Sequence, residues 1–500
     1  MGIWDRAEEA ATPPPQWVPF GTADSIPLPN RRGFSDMVSI LTLVFLGVVF
    51  LVAIMRPAWA VAVVLTMFPT EQALQASAGI FRSIGPLANF TIASIVLASI
   101  AMSFLRGTLV WSRWLTSAML LVAILYTYSA ASVLWTFSPE WLSEYIRWTS
   151  PYIFVIVVLA PLLVSGMGSL SELRAALLVV GTGVALLIIA NPNFQFVEGR
   201  LVVNVDADSR TNPLAIGQLG GLVVLLSILG PAKETVRFMV PLRIIAFTAG
   251  LGLGFMSGSR GEVIAALFGA SVFLPMARKI DNPAQFFATI GVAVVFVAGV
   301  LGVRSLFVGA DNADRWSSES ILFGSAGRLE NAMDLARLYF DRPLYWPIGL
   351  GSAAFHDLPT RSGDPYSHVI VADLIFELGI PGVLIGLSLA YLTVRNSRAL
   401  FWRVRGDVEQ RALVTFLAAF ATYQFILANK AGMLWAQYDL CFSIVLLGRL
   451  WALQSDADAR AIAAGEFDAV AEDDQEAFEG PADEIDGDST LRPSPSPGAA

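Results

Sequence analysis

Apolar runs of about 16 to 22 residues follow one another along most of this chain, separated by short polar or Gly/Pro-marked stretches. Each is close to the roughly 20 residues a helix needs to cross hydrocarbon. This pattern narrows the fold sharply, because a spanning segment must satisfy its own backbone and only helices or closed barrels do so. Barrel strands alternate with period two, which these runs do not. Only 15% of the 500 residues are charged, against ~25% in soluble domains, and mean hydropathy is +0.63. The expected fold is all-α, a polytopic membrane protein with about 12 transmembrane helices.

The spans fall at 37–55, 88–105, 114–135, 151–165, 173–190, 213–230, 240–256, 263–277, 287–307, 368–394, 412–428 and 434–451. A further apolar piece, 57–70, is short for a span and reads as interfacial or re-entrant, leaving twelve or thirteen. Lys and Arg in short loops set the orientation. Arg106 and Arg113, Lys233 and Arg237, Arg278 and Lys279, and the group Arg395, Arg398, Arg403, Arg405 and Arg411 agree in parity and mark cytoplasmic turns. The opposite face carries 136–150, 191–212, the SGSRG turn and the long loop 308–367. Arg31 and Arg32 argue for a cytoplasmic start, which conflicts with that parity if 57–70 crosses.

Three regions follow: a flexible arm at 1–36, a membrane domain at 37–453 with its long periplasmic loop at 308–367, and an acidic cytoplasmic tail at 454–500. From Ser455 onward there are thirteen Asp and Glu against two Arg, a net of −11, so the rest of the chain is net +2. Low hydrophobicity, high charge and a terminal PSPSPG make this tail disordered. No short apolar core with a small-residue cleavage site precedes the first span, so neither end reads as a cleaved signal peptide.

Several chemistries are excluded cheaply. Cys441 is the single cysteine, so there is no disulfide framework, CxxC pair or cysteine-zinc site. His356 and His368 are the two histidines and cannot build a histidine-rich metal cluster. No P-loop or dinucleotide fingerprint follows a strand. The DxD-like elements at 206–208 and 456–460 lie on the non-cytoplasmic side and in the tail. Neither a cofactor nor a metal nor a nucleic-acid partner is expected.

What remains is polar chemistry gathered on one face. In FMSGSRGEVIAAL (255–267), Arg260 and Glu262 stand where one span ends and the next begins. Gly and Ser allow a tight turn and close approach, and the new helix offers free N–H groups, which together outline an anion site. The bland alternative is an interfacial arginine, snorkelling or paired with Glu262. Arg200 and Arg210 flank a second outer turn, which ends in Asn212 and Pro213 before a span. Arg328 lies at the entrance of a helix in the long loop, where Leu329, Ala332, Met333, Ala336 and Phe340 form an apolar stripe opposite Glu330, Asp334, Arg337 and Asp341. That pattern predicts a helix along the membrane surface. Further on, Ser367 is a candidate N-cap, which would put His368 in the first helical turn, where the dipole favours neutral imidazole. Asp373 and Glu377 are not easy same-helix partners for it, and Gly379, Pro381 and Gly382 should break the helix.

Four stretches together resemble the O-antigen ligase and polysaccharide polymerase superfamily. They are SVLWTFSPEWLSEYIRW (132–148), the SGSRG turn, the long outer loop with Arg328 and GLGSAAF (349–355), and His368 followed by ELGIPG (377–382). The resemblance covers roughly 132–394; family members often have His-Asn where this chain reads His368–Val369. It implies a metal-independent enzyme of the bacterial inner membrane that takes glycan from undecaprenyl pyrophosphate at the periplasmic face. The acceptor would be a hydroxyl of a glycan, lipid or protein, with membrane lipids as surroundings. Under it His368 is the catalytic base, and Arg260, Arg210, Arg328 and Arg200 hold the diphosphate. A secondary transporter or flippase-like permease is the alternative, but it should show internal repeats and mid-membrane ionisable residues, and no clear repeat is visible.

The orientation is checked by cysteine labelling in a Cys441→Ser background. A membrane-impermeant maleimide applied to intact cells should label Ser209→Cys and leave Asn282→Cys unlabelled; the reverse pattern inverts the topology.

Overall fold

The computed structural model describes residues 31–197, 199–203, 212–231, 238–278, 280, 282–288, 291, 299, 318–358, 367–430 and 433–463. It is about 81% helical, with one two-stranded hairpin as β-structure among the described residues. The chain is an all-α polytopic membrane protein: nine described helices are long and apolar enough to cross a membrane.

The first helices are α1 (Arg31–Met55), α2 (Pro57–Leu65), α3 (Met67–Ser77) and α4 (Leu87–Leu105). Pro57 starts α2 at the first helical position, where its missing N–H costs nothing. The segment read as interfacial is in fact interior, since α2 is buried from Ala60 to Leu65. Arg106 donates to the Met55 carbonyl at 2.9 Å, while Asn193 donates to the Ala76 carbonyl at 2.8 Å. Thus α2 and α3 together carry the chain from one end of the bundle to the other, and α1 begins at the end opposite Arg106. The Arg31–Arg32 pair and the Arg106 group therefore lie at opposite ends of the bundle and do not agree as orientation signals.

Next come α5 (Ser117–Ala131), α6 (Pro139–Tyr152) and α7 (Met167–Ala190). Helix α6 starts at Pro139, ahead of the span expected from 151, and continues through Pro151 into a π-turn at Ile153–Leu159. The wider turn follows the proline that removes a backbone donor. The hairpin β1 (Gln195–Val197) and β2 (Arg200–Val202) pairs antiparallel around Gly199, at φ +68°.

Helices α8 (Pro213–Ile228), α9 (Met239–Met256) and α10 (Arg260–Ala277) form a closely packed group. Asn212 caps α8, accepting from the Leu214 amide at 2.9 Å. A Cβ on Gly220 would lie 2.7 Å from the Gly250 carbonyl oxygen, and one on Gly250 2.8 Å from that of Gly220. Backbone meets backbone here, as small residues permit in membranes where no hydrophobic force joins helices.

The rest comprises α11 (Ser318–Phe340), α12 (Gly379–Arg403), α13 (Val408–Ala428) and α14 (Tyr438–Ala463). On α11 the buried positions are Asn331, Leu335 and Tyr339, whereas Leu329, Met333 and Phe340 of the expected stripe are exposed. The protein-facing side is thus turned away from that stripe. Most of 287–307 lies outside the described residues.

Helix α14 also overruns its expected end, continuing past Ser455 to Ala463. Arg113 grips Asp456 with two bonds, 2.8 and 2.7 Å, and Arg403 pairs with Asp458 at 3.2 Å. Exposed pairs of this kind contribute little, because solvent and salt screen them. Truncation after Ala463 should leave the thermal midpoint in detergent unchanged, whereas truncation after Gln454 should lower it. Equal midpoints would show that the helix extension contributes nothing.

Candidate functional site

The SGSRG turn is built from its small residues. Ser257 closes α9, its hydroxyl donating to the Gly254 carbonyl at 2.8 Å and accepting from the Ser259 amide at 3.3 Å. Gly258 takes φ +68°, the left-handed conformation only glycine adopts without cost. Ser257 and Ser259 are buried against Gly217 of α8, where an added Cβ would come within 2.6 Å of Ser259 Cβ. Arg260 thereby opens α10 at a fixed point, half-buried.

Two arginines from other elements lie near enough for their charges to act on it, and a lysine shares their field. The charges of Arg328, from α11, and Arg200, from β2, act on Arg260. The same two act on Lys430, just beyond α13. Lys430 forms an ion pair with Glu262, whose side chain is 1% exposed. Burial pushes the Lys430 ammonium below its ordinary value; Glu262 opposes that shift, and the like charges of Arg328 and Arg200 add to it. Arg210 lies outside the described residues.

These arginines differ from those with a structural role. Arg449 is 1% exposed, and its N–H groups go to the carbonyls of Val164, Ser112 and Val110 at 3.3, 3.0 and 2.5 Å. Arg243 likewise donates to Ser227 and Pro231 carbonyls at 2.7 and 3.0 Å. Such groups spend their donors on backbone carbonyls of loops and helix ends. At the SGSRG turn, by contrast, cations from three separate elements are brought into one another's field.

A second constellation lies where three sequence stretches meet. The Ser352 amide donates to Ser132 Oγ at 2.8 Å, and its carbonyl accepts from Thr136 Oγ1 at 2.7 Å. Its hydroxyl lies 2.5 Å from that of Ser129, which also accepts from Trp435 Nε1 at 2.7 Å. On the other side, the Leu350 and Gly351 amides donate to the Phe376 and Glu377 carbonyls at 2.9 and 2.8 Å. The Glu377 carboxylate accepts from the Ala353 amide at 3.0 Å and that of Phe355 at 3.4 Å. Glu377 is therefore a loop anchor. Gly349, Gly351 and Gly379 all have positive φ, and a Cβ on Gly351 would sit 2.5 Å from Thr136 Cα.

His368 lies beside this crossing. Contrary to the capping expectation, it precedes the helix, which starts at Ile370 with Val369 at the cap. Its own backbone is left-handed at φ +63°, an unfavourable state for a residue with a Cβ. Ser367 holds the turn, accepting from the Val369 amide at 3.1 Å and donating to the buried Asp373 carboxylate at 2.5 Å. From Asp373 to Glu377 the helix widens into a π-turn, which leaves these two buried carboxyls on one side, close enough to act on each other. The Val371 amide reaches Asn429 Oδ1 at 3.4 Å, and the next residue, Lys430, holds Glu262. The segment after His368 and the first turn of α10 thus both touch adjacent residues of one turn, through Val371 and Glu262. His356 instead stacks on Trp141, with ring centroids 4.7 Å apart.

Sequence reasoning missed Lys430. The available signal was a lysine directly after an apolar run, in a loop that the sequence alone assigns to the outer face, where the positive-inside rule expects few. Asp373 was noticed but its partner, Ser367, was given a capping role instead. Neither protein-family models nor curated proteins give a match to this chain.

The glycine crossing yields a stability prediction. Gly351→Ala should destabilise the protein by at least ~1–2 kcal/mol, the cost of a side chain in the left-handed region, and Thr136 adds to it. Gly47→Ala, with nothing near its Cβ, is the control. Equal thermal midpoints for the two in detergent would contradict the account.

Proposed function

We propose that this protein is a lipid-linked glycan transferase of the O-antigen ligase or polysaccharide polymerase kind, working at the periplasmic face of the bacterial inner membrane. The observation that supports it most is the meeting of Arg260, Arg328 and Arg200 in one field at the SGSRG turn. Like charges gathered from three elements repel one another, and an anion that binds them together relieves that repulsion. A diphosphate leaving group is an anion of the right kind. Planar guanidinium forks suit its oxygens, and charge developing on it as the sugar departs is stabilised by cations already in place.

In this reading the bond between the sugar C1 and the diphosphate oxygen breaks, and its electron pair stays on the diphosphate. The acceptor hydroxyl attacks C1 and gives up its proton to His368. A strained backbone at His368 is the kind of local cost found where a side chain must be aimed. Arg210 belongs to the same proposed set, while His356, stacked on Trp141, stands apart from the chemistry.

The test is transfer from a lipid-linked donor by purified variants. Arg260→Ala and Arg328→Ala should abolish transfer in folded protein, and lysine at either position should restore only part of it. His368→Ala should slow transfer by at least ~100-fold, with His356→Ala mild. Full transfer by both arginine variants would overturn the proposal. His368→Gln at wild-type rate would show that His368 orients a substrate without taking its proton. In a deletion strain, single repeat units left on their acceptor would mark a polymerase. Accumulated full-length lipid-linked chains would mark a ligase or protein transferase.

A further inference from the structure

We propose that Lys430 is a further cation of this anion site, contacting the diphosphate directly, and that Glu262 is a positioning residue that keeps its ammonium charged and aimed. The inference rests on the diphosphate reading above for its ligand.

A buried ion pair needs an explanation, because packed apolar side chains stabilise a membrane bundle at least as well. Glu262 is 1% exposed and the Lys430 side chain 15%. The contact is not needed merely to hold α10 to α13, since the two helices already pack along their lengths. The neighbouring residue shows how specifically the lysine is accommodated. A Cβ on Gly261 would fall 2.4 Å from Lys430 Cδ and 2.7 Å from Cε. Position 261 lies within the first turn of α10, where helical geometry alone does not require glycine. The missing side chain is the slot through which the lysine stem passes, bringing Nζ to the turn that Arg260 opens.

Electrostatics places Lys430 with the arginines, for Arg328 and Arg200 act on it as they act on Arg260. Arg200, Arg260, Arg328 and Lys430 against Glu262 make a net +3 for these five. In the transfer step the diphosphate passes from a diester with two charges to a terminal diphosphate that gains one more. A lysine has three donors. One can stay on Glu262 while the others follow the new charge, which a planar arginine fork does less readily.

The charged and titratable groups around the pair are Arg260 of α10, Arg328 of α11, Arg200 of β2 and, facing Glu262, Tyr423 of α13. Glu262 favours the charged lysine, so its removal must lower the pH at which Lys430 loses its proton. That consequence distinguishes a positioning role from a structural one.

The experiment is calorimetric titration of the purified full-length protein in detergent with inorganic pyrophosphate. Lys430→Met should weaken binding by about tenfold or more, the scale of a lost charged hydrogen bond. Gly261→Ala keeps a residue favourable to helix but fills the slot, and should weaken binding as well. Glu262→Gln should move the alkaline limit of binding to lower pH. If Lys430→Met fails to fold with Glu262 unpaired, the Lys430→Met/Glu262→Gln double variant takes its place, with the same expected loss. Wild-type affinity in folded Lys430 and Gly261 variants, with Arg260→Ala unable to bind, overturns the role of Lys430 and leaves the diphosphate reading standing. No binding by the wild-type protein, or binding that Arg260→Ala leaves intact, overturns both.

Discussion

Hydrocarbon supplies no hydrogen bonds, so every backbone amide and carbonyl within it must find a partner in the protein. The breaks in this bundle follow from that constraint. Where α9 gives way to α10, Ser257 takes the Gly254 carbonyl and the Ser259 amide. Where the 373–377 segment widens, the freed backbone of Phe376 and Glu377 is taken by Leu350 and Gly351. Irregular backbone is tolerated only where other protein covers it, and the proposed chemistry lies among those irregular stretches.

The same constraint explains how much was legible in the sequence. Spans announce themselves through length and apolarity, and the SGSRG turn stood out because its arginine and glutamate interrupt two such runs. Arg260, Arg328 and Arg200 were singled out from their loops, and in the structure the charges of the last two act on the first. Where α2 and α3 run was not legible, because hydropathy treats two short helices meeting at Thr66 as one undersized span. The hairpin carrying Arg200 has strands of three residues each, too short for a periodic signal. Hardest of all was the pairing of Lys430 with Glu262, which are 168 positions apart. A local reading of either residue says only that a charge lies near a membrane boundary. The role of Glu377 was hidden in the same way: an acidic residue in a helix pattern gives no sign that its carboxylate will accept amides from a loop more than twenty residues earlier.

Charge and packing divide the labour at the candidate site. Glycine-to-glycine contact between α8 and α9 leaves no side chain to change rotamer between them, and Ser259 is clamped against α8 in turn. The position of Arg260 is therefore inherited from backbone packing. Exposed pairs such as Arg113–Asp456 work differently: they are screened by salt, while close-packed backbone is not.

The surface helix bearing Arg328 has a mechanical consequence. Tyr339 is docked near its far end, its hydroxyl on the Trp346 carbonyl at 2.8 Å and its carbonyl bound by Trp346 Nε1 at 3.0 Å. Arg328 stands eleven residues before that anchor, about 16 Å along a helix axis. Between the two, Asn331 and Leu335 are buried as well, three and seven residues past Arg328. The helix is therefore seated along this whole stretch, and Arg328, like Arg260, takes its place from packing and not from its own charge.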